Sequence, residues 1–163
     1  MRKWMLLVMM TVVTVPALAA KRVDAKGFDK TADTVLAAMK TKADSMGVSG
    51  VAVVSYFEGD TIQSWSSKML VVGRYKDAQT ATSKGNNLLA IAYAKAAEMA
   101  DTLKDSGSGV RPPMTGEFGW QGGVIGRVNG GYWIVAFSGG KSEDDAAISQ
   151  AGLAKATGNN GAR

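Results

Sequence analysis

The sequence predicts an α+β domain: one antiparallel sheet of about five strands with helices packed against it. Three observations predict it. Apolar residues recur at helical spacing in three separate stretches. Between them lie short β-rich runs joined by tight turns, and Asn129-Gly130 between two apolar runs is the strongest of these hairpin signals. A chain of 163 residues with 46% apolar and 20% charged residues is enough for one domain with a real core.

The chain opens on MRKWMLLVMMTVVTVPALAA. Arg2 and Lys3, an apolar run from Trp4 to Val15, and Ala17-Leu18-Ala19 have the three-part layout of a secretory signal peptide. The run is short for a membrane span, which takes about 20 residues. Residues 1–19 therefore read as a signal peptide cleaved at Ala19 or Ala20, with a periplasmic or secreted product and no stable membrane insertion afterwards. Residues 20–28 read as a charged leader, 29–157 as a single domain, and 158–163 as a disordered tail.

Within the domain, a first helix starts at Asp29. Ala32, Val35, Leu36, Met39, Ala43 and Met46 form its apolar face, and Gly47 stops it. Val51–Phe57 is an apolar strand. The turn EGD and the alternating TIQSWSS continue it into a hairpin, and KMLVVGRYK supplies a further short strand. DAQTATSKGNN is loop-like, and Asn86 or Asn87 caps a second helix. That helix carries Leu88, Leu89, Ala92, Ala96, Met99, Ala100 and Leu103 and ends at Gly107. Its alanines lie on several faces, so a sheet or another subunit can pack closely on it.

Eleven of the 20 glycines fall between Gly107 and Gly140, in a connector stiffened at Pro112-Pro113 and in the hairpin that follows it. WQGGVIGRV, NGG and YWIVAFS read as strand, turn and strand. A last helix runs from Ser142 to Ala156 with Ala147, Ile148, Ala151 and Ala154 as its stripe.

Composition narrows the chemistry sharply. There is no His and no Cys. Thiol catalysis, zinc–thiolate sites and Ser-His-Asp triads are excluded, and so is the usual proximal haem ligand. Stability comes from the core, with no disulfides. Removing Arg2 and Lys3 leaves 17 basic against 14 acidic side chains, a net charge of +3. Without a run of five Lys/Arg, no nucleic-acid partner is indicated.

Gly140-Lys141-Ser142, after a strand and before a helix, invites comparison with a phosphate loop. That motif needs a glycine at position 135, which is Val here. A corner explains the stretch better. Gly139-Gly140 makes the turn, Ser142 caps the helix with Asp145 as partner, and Glu143, Asp144 and Asp145 suit the helix dipole. The glycine-preceded helix start can still border a pocket.

The same residues resemble the GlcG/HbpS-like family, also found as the C-terminal domain of PduO-type proteins. Gly122 to Val124 and the run NGGYWIVAFSGGKSEDDAAISQAG carry the likeness, with Ser138, Gly139, Gly140, Asp145, Ala151 and Gly152 in register. GVSGVAVVSYFEGDTIQSW resembles the family's first hairpin, and Lys95-Ala96 its Lys-Ala pair. The likeness covers residues 30–156. Ser55 and Ile125 depart from the family pattern, where Asp and Pro are usual, and residues 66–86 match poorly. The resemblance implies a profilin-like α/β/α sandwich, assembly into a homo-oligomer, and in several relatives the binding of haem.

Candidate ligand-binding residues follow: Lys95, Arg111, Met114, Gly139, Gly140, Lys141 and Ser142. Lys95 lies at the edge of its helix's apolar stripe, where a lysine ordinarily snorkels to water. Arg111, like Arg127, is suited to a carboxylate or a haem propionate. Haem would need non-His ligation, for which Met114, Met69, Tyr93, Tyr132 and Lys95 are the available donors. Met39, Met46 and Met99 belong to core stripes. Tyr132 and Trp133 alternate on a strand, so one faces in and one out. Three readings stand: an exported small-ligand-binding protein, a protein acting on a small organic acid, and an oligomeric interaction module. No paired acid/base set marks an enzyme.

Overall fold

A computed structural model describes residues 25–158. Residues 1–24, which include the expected signal peptide and the start of the expected leader, and residues 159–163 of the expected tail lie outside the described residues.

Helix α1 spans Ala25–Met46, four residues earlier than the spacing alone indicates. Phe28 is the reason. It sits one turn before Ala32 and extends the same stripe, so it is buried and stacks on Trp133 with ring centroids 5.7 Å apart. The end of the charged leader is thus part of the domain. Gly47, at φ +67°, ends the helix as expected.

Strand β1 spans Gly50–Glu58 and strand β2 spans Ser66–Val72. The hairpin is present, but its return strand is one continuous segment. Residues 59–65 form the connecting loop, so the alternating TIQSWSS supplies only the start of β2, and KMLVV supplies the rest. Two expected strands are therefore one, and the sheet has four strands where about five were expected. Helix α2 spans Leu88–Thr102. Asn87 is its cap, accepting from the Ala90 N–H at 3.0 Å. The helix ends at Leu103, in the left-handed region at φ 53°, well before Gly107.

Strands β3, Gly123–Val128, and β4, Gly131–Ser138, form the second hairpin. Asn129 and Gly130 have φ of 52° and 85°, the two positive values that match the strands' twist. The sheet order is β2-β1-β4-β3, with every neighbouring pair antiparallel.

Helix α3 spans Ser142–Ala156. Ser142 is not its cap. Lys141 takes that position without a side-chain bond, and the Asp145 carboxylate reaches back to the Gly140 N–H at 2.8 Å instead. The buried face also differs from the alanine stripe: it is Asp145, Ile148, Ser149, Gly152 and Leu153. Gly152 permits it, because a Cβ there would stand 2.7 Å from Met39 Cγ of α1.

Both faces of the sheet are covered. Ala52, Val54, Tyr56, Trp133, Val135 and Phe137 pack with α1 and α3 on one side. Val51, Val53, Phe57, Ile134 and Ala136 pack with α2 on the other. Trp133 therefore faces inward, while Tyr132, half-buried, stacks on Phe57 beneath α2 with centroids 5.3 Å apart. No helix among the described residues is long and apolar enough to cross a membrane.

Candidate functional site

The C-terminal end of β4, the start of α3 and the middle of α2 meet at one place. Gly139 and Gly140 turn the chain sharply enough to set Asp145 under the turn. Lys95 arrives from α2 on the other side of β4. Its Nζ donates to the Phe137 carbonyl at 2.8 Å and to Asp145 Oδ2 at 2.9 Å. The two side chains are 3% and 5% exposed. Lys95 is thus a buried ion-pair partner, contrary to the expectation of a snorkelling lysine.

The backbone closes tightly around the pair. Gly122, at φ +124°, has no Cβ, and one built there would lie 2.4 Å from Lys95 Nζ and 2.6 Å from Asp145 Cβ. The Gly122 carbonyl is fixed by the Ser149 hydroxyl, which donates to it at 2.7 Å. Loss of water pushes the Lys95 ammonium below its ordinary value, against the pull of Asp145. The same loss pushes the Asp145 carboxyl up, against Lys95 and the Gly139 and Gly140 amides. Burial thus outweighs attraction at both partners, and each is drawn toward its neutral form.

A cleft of about 130 Å³ opens above the pair, lined by Lys95, Asp145, Gly139, Gly140, Trp120 and Gln121 among others. Asp77, Asn86, Ser138 and Ser142 also border it. Arg74 braces one wall: its guanidinium donates to the Ser49 and Gly139 carbonyls at 2.8 and 2.9 Å and to Asp77 Oδ1 at 2.9 Å. Asn86 donates to the other Asp77 oxygen at 2.9 Å. These bonds, from Asn86 first and then Arg74, hold the Asp77 carboxyl below its ordinary value. Both acids of the lining are thereby matched with a base. A larger, open hollow of about 530 Å³ adjoins it, bounded by residues 76–79 and 84–87.

Four of the seven candidates come together here: Lys95, Gly139, Gly140 and Ser142. Lys141 stands at the rim as helix cap. Arg111 and Met114 belong elsewhere. Arg111 clamps Asp101 at 2.6 Å and Glu117 at 2.7 Å, so its guanidinium is committed to the chain itself. Met114 is 53% exposed on the Pro-Pro loop. Asp145, Trp120, Gln121, Asp77, Asn86 and Ser138 were not singled out from the sequence as site residues. Asp145 had one readable signal: it lies three, four and seven residues before Ile148, Ser149 and Gly152, an acid on a buried helix face.

Of the five side chains named as haem donors, four are engaged or packed elsewhere, and Met114 lies exposed outside the cleft. Lys95 Nζ is held by Asp145, the Tyr93 hydroxyl pairs with Ser67 Oγ at 3.1 Å, and Tyr132 and Met69 pack against the α2-side core. Among the described residues, no group of three or more acidic side chains is placed to hold a metal ion. No protein-family model matches the chain, and no curated protein matches it.

Proposed function

We propose that the chain is an exported binding protein for a small, uncharged polar molecule, held in the cleft above Lys95 and Asp145. One observation carries this reading. A lysine and an aspartate are sealed under a solvent-connected cleft, where their desolvation works against folding. Buried ionisable pairs whose titration is displaced concentrate at functional sites. Lys95 is the one cation among the residues lining the cleft and is matched by Asp145, as Asp77 is by Arg74; Lys141 stands only at the rim. This favours a neutral ligand over a small organic acid. The family likeness and the signal-peptide layout support the exported, GlcG/HbpS-type reading. Haem binding rests on that likeness alone.

Thermal-shift screening of the mature chain against small alcohols, amides, aldehydes and organic acids tests the proposal. A neutral compound that raises Tm saturably, with loss of the effect in Trp120→Ala, supports it. Stabilisation by acids only would overturn the neutral-ligand reading. Haem titration belongs in the same series, read as a saturable Soret shift.

A second reading, an interaction module acting as a homo-oligomer, draws on one feature. Val110, Met114, Phe118 and Trp120 are exposed on the loop between α2 and β3. Phe118 and Trp120 lie against each other with centroids 4.8 Å apart. Exposed apolar groups on a braced loop suit a protein partner. Light scattering after size exclusion decides it: a monomer at micromolar concentration rules this reading out.

A further inference from the structure

Lys95 is the only buried lysine among the described residues, and it is one of the residues that line the cleft. Two of its three N–H positions are taken, by Phe137 O and Asp145 Oδ2. The third N–H position has no hydrogen-bond partner among the described residues. A lysine shifts its titration readily when desolvated, which is why buried lysines serve as amine nucleophiles where an arginine cannot.

We propose that Lys95 is a carbonyl-reactive lysine: it condenses with a short neutral aldehyde or ketone in the cleft to form an imine, with Asp145 relaying the proton. The proposal rests on the reading of this cleft as a ligand site. The chemistry needs no redox partner. Lys95 passes a proton to Asp145 Oδ2 across their 2.9 Å hydrogen bond. The freed lone pair attacks the carbonyl carbon, the C–N bond forms, and the carbonyl π pair moves to oxygen. That oxygen takes a proton from the nitrogen by way of Asp145. A second transfer through Asp145 releases it as water, as the C–O bond breaks and C=N forms. In sum, ammonium and carbonyl become a protonated imine and water, and Asp145 ends as the carboxylate it began as. Burial, which lowers the lysine and raises the acid, brings the two groups toward the state in which the first transfer occurs.

Size and charge set the substrate class. A cleft of about 130 Å³ admits a carbonyl compound of a few heavy atoms. Lining acids already matched with bases leave a 2-oxo acid's carboxylate unneutralised, whereas a neutral aldehyde brings no charge to bury.

The experiment uses the mature full-length chain with limiting acetaldehyde and cyanoborohydride near neutral pH, followed by peptide mapping. The Lys95 peptide is expected to gain one ethyl group ahead of the exposed Lys40 and Lys42, and to lose that lead in urea. In Asp145→Asn the Lys95 labelling rate is expected to fall at least about a hundredfold, the usual scale of a proton relay. The wild-type comparison of Lys95 with Lys40 stands even if that variant does not fold. Labelling of Lys40 and Lys42 with Lys95 left unmodified would overturn the proposal. A folded Asp145→Asn that labels like wild type would overturn the relay, and preference for glyoxylate over acetaldehyde the neutral-substrate class. A saturable change in Trp120 emission without reductant, absent in Trp120→Phe, reports binding by itself. Binding without labelling therefore defeats the imine chemistry and leaves the ligand site standing, whereas loss of both defeats the two readings together.

Discussion

Lys95 and Asp145 hold α2, β4 and α3 together at one point, and neither is tolerable there alone. Lys95→Met leaves the Asp145 carboxylate buried and unmatched, a loss of about 3–5 kcal/mol in urea unfolding. The pH dependence has a definite sign. An acid whose folded value is raised contributes stability below its unfolded value and loses it as pH rises through the folded value. Without Lys95 the rise at Asp145 is larger, so the deficit of Lys95→Met is smallest in acid and grows toward neutrality. Adding Asp145→Leu to Lys95→Met recovers most of the loss; a double variant no better than the single one contradicts the pairing. The sequence marks Lys95, but not its burial. Helix α2 carries alanine on so many faces that its buried boundary cannot be located from apolar spacing. Asp145 is hidden in a run of three acids whose dipole role accounts for each of them equally well.

At the scale of elements, the loop from Leu103 to Gly122 is shaped by a strap. Arg111 donates to both Glu117 oxygens at 2.7 and 2.8 Å, and the Met114 N–H adds a third bond at 2.8 Å. The Arg111 guanidinium first, with that amide, holds the Glu117 carboxyl at about 2, against an ordinary 4.5. A depressed carboxyl contributes stability that is full above 4.5 and is lost as pH falls toward 2. Glu117→Gln is expected to lower Tm at neutral pH and to flatten its fall across that acid window; an unchanged acid slope contradicts the strap. This network is not legible from sequence, because Arg111 is read there as a free anion binder. Its partners sit six and ten residues away, one in the loop and one at the end of α2. Some boundaries set by local signals are legible, since Gly47, Asn87 and Asn129-Gly130 act where their chemistry places them; Gly107 and Ser142 do not, α2 ending already at Leu103 and Lys141 holding the cap position of α3. The β1–β2 return is not, because Ile62, Ser64 and Ser66 alternate with Gln63 and Trp65 like a strand although the chain there is still crossing to the sheet edge.

At the scale of the molecule, a four-stranded antiparallel sheet is covered on both faces, so its two central strands are mostly apolar, Ser55 being the polar exception in their interior. That is why β1 and β4 read as near-continuous apolar runs, and why the α+β class is evident from the sequence. The layer assignment of each residue needs the register. Val54 opposite Val135 and Ala52 opposite Phe137 share the α1–α3 face, and their immediate neighbours share the α2 face. Phe137 is fully buried in that arrangement, so Phe137→Ala costs about 3–5 kcal/mol in denaturant unfolding. A loss within that of a surface site would place the core elsewhere. The same sheet delivers Ser138, Gly139 and Gly140 to the end of β4, where α2 and α3 close over Lys95 and Asp145. Amide chemical-shift mapping of residues 20–163 with a neutral small-molecule ligand tests most directly whether this closure is a binding site. Saturable shifts centred on Gln121, Gly139, Gly140 and Ser142 are the predicted result; shifts confined to the opposite, α1 side of the sheet would contradict it.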